Sequence, residues 1–506
     1  MSDDLLLAAL DDRLAAARDR AATRKSASPT APAAQARFRP MEQQAAARVT
    51  LRDRWPWLEW FVCAQFLWGL LLFVPGAQAY RPVVRALPYA TSVGLLMLYL
   101  TQRTPWIKAP GSASFMIAAL AVLVANLLHP TTQFLAGTMQ CVFQLMIAAP
   151  VFWAWKAVHD EGRLLRIVRL VFLLNVLSAG VGALQVYMPD VFLPPQFSAL
   201  GLQLSDTWVD ELSYEGAGGR TIVRPPGLTD QPGAASIAGT IAAVLGLGLT
   251  LLARTTATRA SGLAGAALGL FVLYLTQVRS LLLMCVAAFA LMAALMFRRG
   301  RFAAGTWLLV GGATLGLSAF FWAVSVGGER VEHRFTEIAR QGAVQTYREN
   351  RGHFLSFTVG ELLDEYPLGA GVGRWGMMYT YFGDPTNLAA QPIYVEIQPT
   401  GWLLDGGVPL WVCYGAAILA AFGTAWRLAT QRFSPAMADI ASLVLPVLLA
   451  IVGMGLAGPI FNTQVGILFW FLVGSLYGAG NALVRQRVHG ILDANGQTVA
   501  SSGHSR

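Results

Sequence analysis

Four arginines have the side-chain type and the placement to bind an anion together. Arg279 lies between two long apolar runs in LTQVRSLLLM (275–284), while Arg220, Arg224 and Arg351 lie in polar segments on either side of it. A guanidinium group presents a planar fork of N–H donors that matches phosphate oxygens, so converging arginines would form a diphosphate site. The alternatives are that Arg279 snorkels to lipid headgroups and that the other three are solvated loop charges.

The elements that must position these arginines are membrane-spanning helices. Apolar residues make up 55% of the 506 residues and charged residues 13%, and the mean hydropathy is +0.51, which excludes a soluble multidomain protein. We expect an all-α fold, a polytopic membrane protein with about 12 transmembrane helices. The predicted spans are 58–79, 86–101, 113–129, 133–155, 170–187, 234–253, 261–277, 280–297, 302–325, 404–425, 437–457 and 463–484.

The basic residues predict the orientation of these spans. The arginine-rich N-terminal segment favours a cytoplasmic N-terminus, and an even number of spans returns the C-terminus to the cytoplasm. The predicted inner connections are all basic, with Arg103 and Lys108; Lys156, Arg163, Arg166 and Arg169; Arg254 and Arg259; Arg298, Arg299 and Arg301; Arg427 and Arg432; and Arg485 and Arg487. Arg81 and Arg85, in the first outer turn, are the exception. No apolar core with a small-residue cleavage site precedes the first span, so no removable signal peptide is expected.

These patterns divide the chain into seven segments. They are a cytoplasmic basic segment (1–55), transmembrane helices 1–5 (56–187), a first outer loop (188–233), helices 6–9 (234–325), a large outer loop (326–403), helices 10–12 (404–484) and a cytoplasmic tail (485–506). The segment 1–55 could form an amphipathic helix near its start or remain a disordered tail whose charges fix the orientation.

The two long loops carry most of the outer polar residues, and loops of this length are usually functional or disordered. In the second loop, apolar residues at helical spacing over 354–363 predict a helix lying on the outer face. The run PLGAGVGRWG (367–376) that follows predicts a tight turn. A phosphate-binding turn is the alternative, but no strand is predicted before it and the lysine of a P-loop is missing.

Other kinds of site find little support in the sequence. The four cysteines fall within predicted spans and the six histidines are scattered, so we expect neither a disulfide framework nor a metal site. The net charge of +9 is accounted for largely by cytoplasmic arginines and lysines. We therefore expect no nucleic-acid partner, whereas membrane lipid is an expected one.

Four motifs in order resemble the O-antigen ligase and Wzy-type polysaccharide polymerase superfamily. They are RPPGLTDQPGAASIAG (224–239), LTQVRSLLL (275–283), NRGHFLSFTVGELLDEYPLGAGVGRWG (350–376) and GWLLDGGVPLW (401–411). The resemblance covers roughly residues 219–412. It implies glycosyl transfer at the periplasmic face of a bacterial inner membrane, from an undecaprenyl-diphosphate-linked oligosaccharide to a second saccharide, without a cofactor.

The resemblance also implies roles for individual residues. Arg279 and Arg351 match the diphosphate-binding arginines, and Arg224 is a further candidate. The ligase pattern has a His-Asn pair about nine residues before an acidic residue that matches Asp405, but Glu396 stands there in this chain. Glu396 could act as general base toward an acceptor hydroxyl, the alternative being a solvated loop carboxylate.

The missing histidine favours a polymerase of lipid-linked repeats over the alternative, a ligase that transfers the glycan to lipid A core or protein. A chain-length regulator or a flippase is an expected partner of such a polymerase. A transporter of lipid-linked glycan is the alternative from another class. Transporters often contain inverted repeats, and none is visible in this sequence.

Overall fold

The computed structural model describes residues 56–74, 76–101, 108–194, 213–229, 231 and 233–501, with side chains as far as residue 485 except those of residues 78 and 343. The expectations for segment 1–55 lie outside these residues. The described chain is helical apart from one two-stranded antiparallel sheet, β1 (Ser213–Glu215) and β2 (Thr221–Val223).

Twelve main helices follow one another along the described chain. They are α1 (Trp57–Leu70), α2 (Arg81–Leu100), α3 (Gly111–Ala125), α4 (Phe134–Ala157), α5 (Glu161–Tyr187), α6 (Ala235–Leu252), α7 (Thr256–Leu275), α8 (Arg279–Arg298), α9 (Phe302–Gln341), α10 (Gln398–Thr430), α11 (Pro435–Met454) and α12 (Gln464–Ser501). Short helices fill the loops, at Pro189–Phe192 and throughout residues 343–365.

The prediction of an all-α, multi-pass membrane protein is confirmed. Within the described residues, eleven helices are long and apolar enough to cross a membrane. The expected first span, 58–79, is a shorter apolar helix, because α1 and the 3₁₀ turn after it end at Phe73. Helices α6 and α11 are the most enclosed by protein and α9 is the least, which places the core of the bundle around α6 and α11.

Helices α6 and α7 form the closest helix pair and lead directly to the arginine-bearing turns. A Cβ on Gly239 would lie 2.5 Å from the carbonyl oxygen of Gly269, and one on Gly246 would lie 2.6 Å from that of Gly262. The two backbones are therefore in contact without side chains between them, as at small-residue interfaces of membrane helices. This contact fixes the end of α7, after which Arg279 follows.

Helix α9 continues well past the predicted end of its span at residue 325. It bends at Gly328, whose φ of 66° and ψ of −161° are not helical. The hairpin β1–β2 packs against this bend, since a Cβ on Gly328 would lie 3.0 Å from the backbone nitrogen of Ala217. Beyond the bend the helix becomes charged, and we treat only the part before Gly328 as membrane-spanning.

The helix predicted over 354–363 is confirmed as part of a longer helical run over residues 343–365, called the loop helix below. Two of its turns are π-helical, Arg348–Gly352 and Thr358–Leu362. Thr358 shares a hydrogen bond of 2.6 Å with Thr400 at the start of α10. The loop helix is therefore tied to the bundle on the side opposite to its exposed Phe357 and Val359.

The glycine-rich run after the loop helix is a tight turn, as predicted. Gly369, Gly371 and Gly373 have φ values of 102°, 100° and 75°. The backbone N–H of Gly373 donates to Oδ1 of the buried Asp405 at 3.0 Å, and Gln140 donates to Oδ2 of the same carboxylate at 2.8 Å. The N–H group of Gly373 is thus engaged within the protein, which favours a structural role for the turn.

This turn gives a matched test of the fold. Gly373→Ala would place a Cβ 2.6 Å from the carbonyl oxygen of Ala136 on α4, whereas Gly376, with φ of 66°, has open space around it. We expect Gly376→Ala to cost about 1 kcal/mol of stability from backbone strain alone and Gly373→Ala to cost clearly more. Thermal unfolding in detergent measures both, and equal losses of Tm would show that the contact with α4 is not tight.

Candidate functional site

A strained turn positions Arg279. Between α7 and α8 the chain has three residues, and Gln277 among them is the one non-glycine residue with positive φ, 57°, in the described part of the chain. Such a conformation costs about 1–3 kcal/mol and persists only where the surroundings enforce it. The side chain of Gln277 is buried, and its Nε2 has no hydrogen-bond partner among the described residues.

The first turn of α8 is itself suited to an anion. Val278 occupies the N-cap position, no side chain caps the helix, and its first turn has no acidic residue. The N-terminal end of a helix carries a partial positive charge from its free N–H groups, and uncapped ends of this kind bind phosphate readily. Val278, Arg279 and Ser280 all line the pocket described below.

Arg279 is held by side chains from two other elements. Its Nη1 is paired with Oε2 of Glu337 near the end of α9, and its Nη2 donates to Oδ1 of Asn350 on the loop helix at 2.9 Å. Only 10% of the Arg279 side chain is exposed. The guanidinium group is thus directed into the protein, which favours the anion-binding interpretation over snorkelling.

A second arginine, Arg334, approaches the same place from α9, six residues beyond the bend at Gly328. Burial and, after it, the positive charges of Arg279 and Arg224 lower the pKa of Arg334 to about 10, while the negative charge of Glu337 opposes them. Its buried Nε has no hydrogen-bond partner among the described residues. Arg334 is therefore a cation at neutral pH that is held among other cations.

Arg351 reaches the site from a π-helical turn of the loop helix. It forms an ion pair with Glu396, which lies just before α10, and Tyr394 donates a hydrogen bond to the same carboxylate. The Glu396 side chain is 17% exposed and that of Arg351 is 37% exposed. The candidate base is thus held beside one of the candidate diphosphate ligands, and it is not a freely solvated carboxylate.

Arg224 completes the group from the first loop. It follows β2 directly, and its carbonyl oxygen accepts a hydrogen bond from Gly233 at 3.1 Å. Tyr214 on β1 donates to the carbonyl oxygen of Leu275, the last residue of α7, at 2.9 Å. The hairpin that carries Arg224 is therefore bonded to the helix that leads to Arg279.

The four arginines line one pocket of about 230 Å³. Its wall comprises Arg224, Gln277, Val278, Arg279, Ser280, Leu283, Arg334, Thr346, Tyr347, Asn350, Arg351 and Ala457. The carboxylates of Glu337 and Glu396 pair with Arg279 and Arg351, and Arg224 and Arg334 add two further guanidinium groups to the wall. Together with the helix end and the amide of Gln277, this arrangement is complementary to an anion with several oxygens.

The structure brings together most of the residues that the sequence indicated. Arg224, Arg279 and Arg351 line the pocket, and Glu396 is joined to it through Arg351. Arg220 is exposed at the tip of the β1–β2 hairpin and is not among the residues that line the pocket. No group of three or more His, Cys, Asp or Glu side chains that could hold a metal ion occurs in the described chain.

Sequence reasoning missed Arg334. Val331 and Phe335 are buried on the inner face of the second part of α9. Arg334 lies three residues after the first and next to the second, so it interrupts an apolar stripe of helical spacing that continues to Ile338. A charge within such a stripe is the signal that could have identified it.

Comparison with known proteins does not extend this description. No protein-family model matches the chain. No curated protein matches it either.

Proposed function

We propose that the protein is a membrane glycosyltransferase that polymerises undecaprenyl-diphosphate-linked oligosaccharide repeats at the periplasmic face of a bacterial inner membrane. The observation that carries the proposal is the convergence of Arg224, Arg279, Arg334 and Arg351 on one pocket beside the uncapped end of α8. A diphosphate joined to a lipid and a sugar bears a negative oxygen on each phosphorus, which matches the N–H donors of the converging guanidinium groups.

The reaction uses the pocket to stabilise a leaving group. A hydroxyl oxygen of the acceptor sugar attacks the anomeric carbon of the donor, and the bond from that carbon to the diphosphate oxygen breaks with its electron pair passing to the oxygen. The hydroxyl proton passes to Glu396. Charge grows on the diphosphate in the transition state, where fixed guanidinium groups and N–H donors stabilise it most. The products are a longer glycan on the acceptor lipid and free lipid diphosphate.

The ion pair between Arg351 and Glu396 couples donor binding to the base. In the protein without substrate, the Glu396 carboxylate is engaged by the guanidinium group of Arg351. A diphosphate bound by Arg351 competes with the carboxylate for the same guanidinium donors. Binding of the donor thus frees Glu396 for proton transfer and keeps it within reach of the reacting hydroxyl.

The polymerase is preferred to a ligase because Glu396 occupies the place of the ligase histidine. The test uses the purified full-length chain in lipid nanodiscs with a synthetic undecaprenyl diphosphate oligosaccharide, and the products are resolved by gel and mass spectrometry. A ladder of repeats would support the polymerase. Bond formation only after addition of lipid A core would indicate a ligase, and no bond under either condition would contradict glycosyl transfer and favour a transporter.

Glu396→Gln provides the test of the base. We expect this variant to lower kcat by about 100-fold, because general bases contribute roughly 10²–10⁴ to a rate. The affinity for donor should be unchanged or higher, since Arg351 no longer has a carboxylate as competitor. Glu361→Gln, at an exposed position of the loop helix that carries Arg351, is the control. Full activity of Glu396→Gln would remove Glu396 from the mechanism.

A further inference from the structure

A second cavity, of about 190 Å³, lies between α1, α2, α5, α6 and α12. Its wall is mostly apolar and aromatic, with Phe61, Phe66, Ile241, Leu468 and Phe471 among its residues. Each of these helices except the short α1 is long and apolar enough to cross a membrane. The cavity therefore offers a hydrocarbon environment within the bundle, and the arginine pocket has no comparable surface.

Among the described residues, Arg85 is the one charged residue in the cavity wall. This half-buried side chain lies near the start of α2 and contacts Met377 through Nη1. Arg85 is one of the two arginines that the positive-inside pattern of the sequence does not explain. Gln65 on α1 adds a buried amide whose Oε1 has no hydrogen-bond partner among the described residues. A cavity with an apolar wall and a guanidinium group suits an amphiphile with an anionic head. The amide oxygen of Gln65, a hydrogen-bond acceptor, suits a hydroxyl group of the attached saccharide.

The apolar cavity and the arginine pocket are neighbours, because two segments of the chain contribute residues to the walls of both. In the first loop, Arg224 lines the arginine pocket, whereas Leu228, Thr229 and Gln231 line the apolar cavity. In the connection between α11 and α12, Ala457 lines the arginine pocket and Asn462 lines the apolar cavity. A saccharide anchored in the apolar cavity thus has only a short stretch of chain between it and the diphosphate site.

The geometry points to the apolar cavity as the site of the acceptor, bound through the lipid and anionic head of a second lipid-linked saccharide. This assignment rests on the proposed function, whose reaction joins two molecules that both carry a lipid diphosphate. The arginine pocket accounts for the donor's diphosphate alone. The apolar wall takes part of the second lipid chain, Arg85 pairs with its phosphate, and the saccharide extends along residues 224–229 toward Glu396.

The experiment uses two substrate analogues, one that can act only as donor and one that can act only as acceptor. The donor is a lipid diphosphate oligosaccharide whose non-reducing end is methylated, so that it cannot accept. The acceptor is an oligosaccharide joined to its lipid through a carbon–phosphonate link that cannot be displaced. Initial rates of the full-length protein in nanodiscs then give a separate KM for each substrate. Direct binding of the radiolabelled acceptor analogue is measured in the same nanodiscs.

Two variants address the cavity, each with a matched control. Arg85→Gln removes the charge, and Arg81→Gln, one turn earlier on α2 and outside the cavity wall, is its control. Ala234→Phe fills the cavity, and Ala264→Phe, exposed on α7, is its control. We expect both cavity variants to raise the acceptor KM about tenfold with the donor KM unchanged, and both controls to resemble the wild type.

The outcomes distinguish this inference from the proposed function. An unchanged acceptor KM, or a changed donor KM, in both cavity variants would overturn the acceptor site while leaving the glycosyltransferase intact. If the wild type forms no bond from the two analogues, the proposed function fails, and binding of the acceptor analogue alone decides the site. If both cavity variants weaken binding of the acceptor analogue, the apolar cavity remains a site for a lipid-linked saccharide. If neither variant weakens binding, the site is overturned.

Discussion

Arg279→Ala is expected to lower the rate of glycosyl transfer by about 10²–10³, as loss of one fixed donor to a developing oxyanion does in other enzymes. Arg279 is the first residue of α8, and its side chain is 10% exposed. Glu337 and Asn350 hold the two terminal nitrogens of its guanidinium group. It is therefore fixed in place before substrate binds. Initial rates with the synthetic donor, together with donor affinity, measure the effect.

Two further arginine variants show whether the fork of Arg279 or only its charge is needed. Arg279→Lys keeps the charge but loses the planar pair of donors, so we expect it to recover only a minor part of the rate. Arg220→Ala removes an exposed arginine at the tip of the β1–β2 hairpin and should leave the rate within about twofold of the wild type. If Arg220→Ala were as damaging as Arg279→Ala, the described pocket would not be the diphosphate site.

Arg334→Gln is expected to separate activity from stability. Burial and the charges of Arg279 and Arg224 make the guanidinium group unfavourable in the empty protein, as its lowered pKa of about 10 indicates. The same charge becomes favourable when a diphosphate enters. We therefore expect the rate to fall by about 100-fold while the Tm of the protein without substrate stays the same or rises.

Arg330→Gln is the matched control for this prediction, because Arg330 lies one helical turn before Arg334 on α9 and is exposed. Its rate and its Tm should both be close to those of the wild type. Addition of lipid diphosphate should raise the Tm of the wild type and of Arg330→Gln, but raise that of Arg334→Gln much less. A large loss of Tm in Arg334→Gln without substrate would mean that Arg334 is a structural residue.

Much of the fold follows from local properties of the sequence. Runs of apolar residues with the length of a membrane span predicted eleven of the long helices, because an α-helix satisfies its backbone hydrogen bonds within one such segment. Spacing of apolar residues also predicted a helix over 354–363. The predicted span 302–325 stops before the helix does, because α9 continues beyond its membrane-spanning part to Gln341. Hydropathy marks the end of the apolar surface and carries no signal for the end of the hydrogen-bonded helix.

The site was predictable by residue type but only partly by position. Arg224, Arg279 and Arg351 were selected as cations on one side of the membrane, and the structure places them in one pocket. The same reasoning selected Arg220, because proximity along a loop does not indicate which way a hairpin turns. Arg334 was missed because its approach depends on the bend at Gly328, a tertiary feature.

The contact between α6 and α7 determines which wall of the arginine pocket can move. Backbone lies directly on backbone at Gly239 and Gly269, so sliding either helix would break close contacts along both. Arg279 thus extends from a fixed wall. Arg334 and Arg351 belong to segments that follow Gly328 and Gly342, two glycines with positive φ. Under the proposed function, entry of the donor and exit of the spent lipid diphosphate should therefore proceed by displacement of this second wall. The wall that carries Arg279 should stay in place.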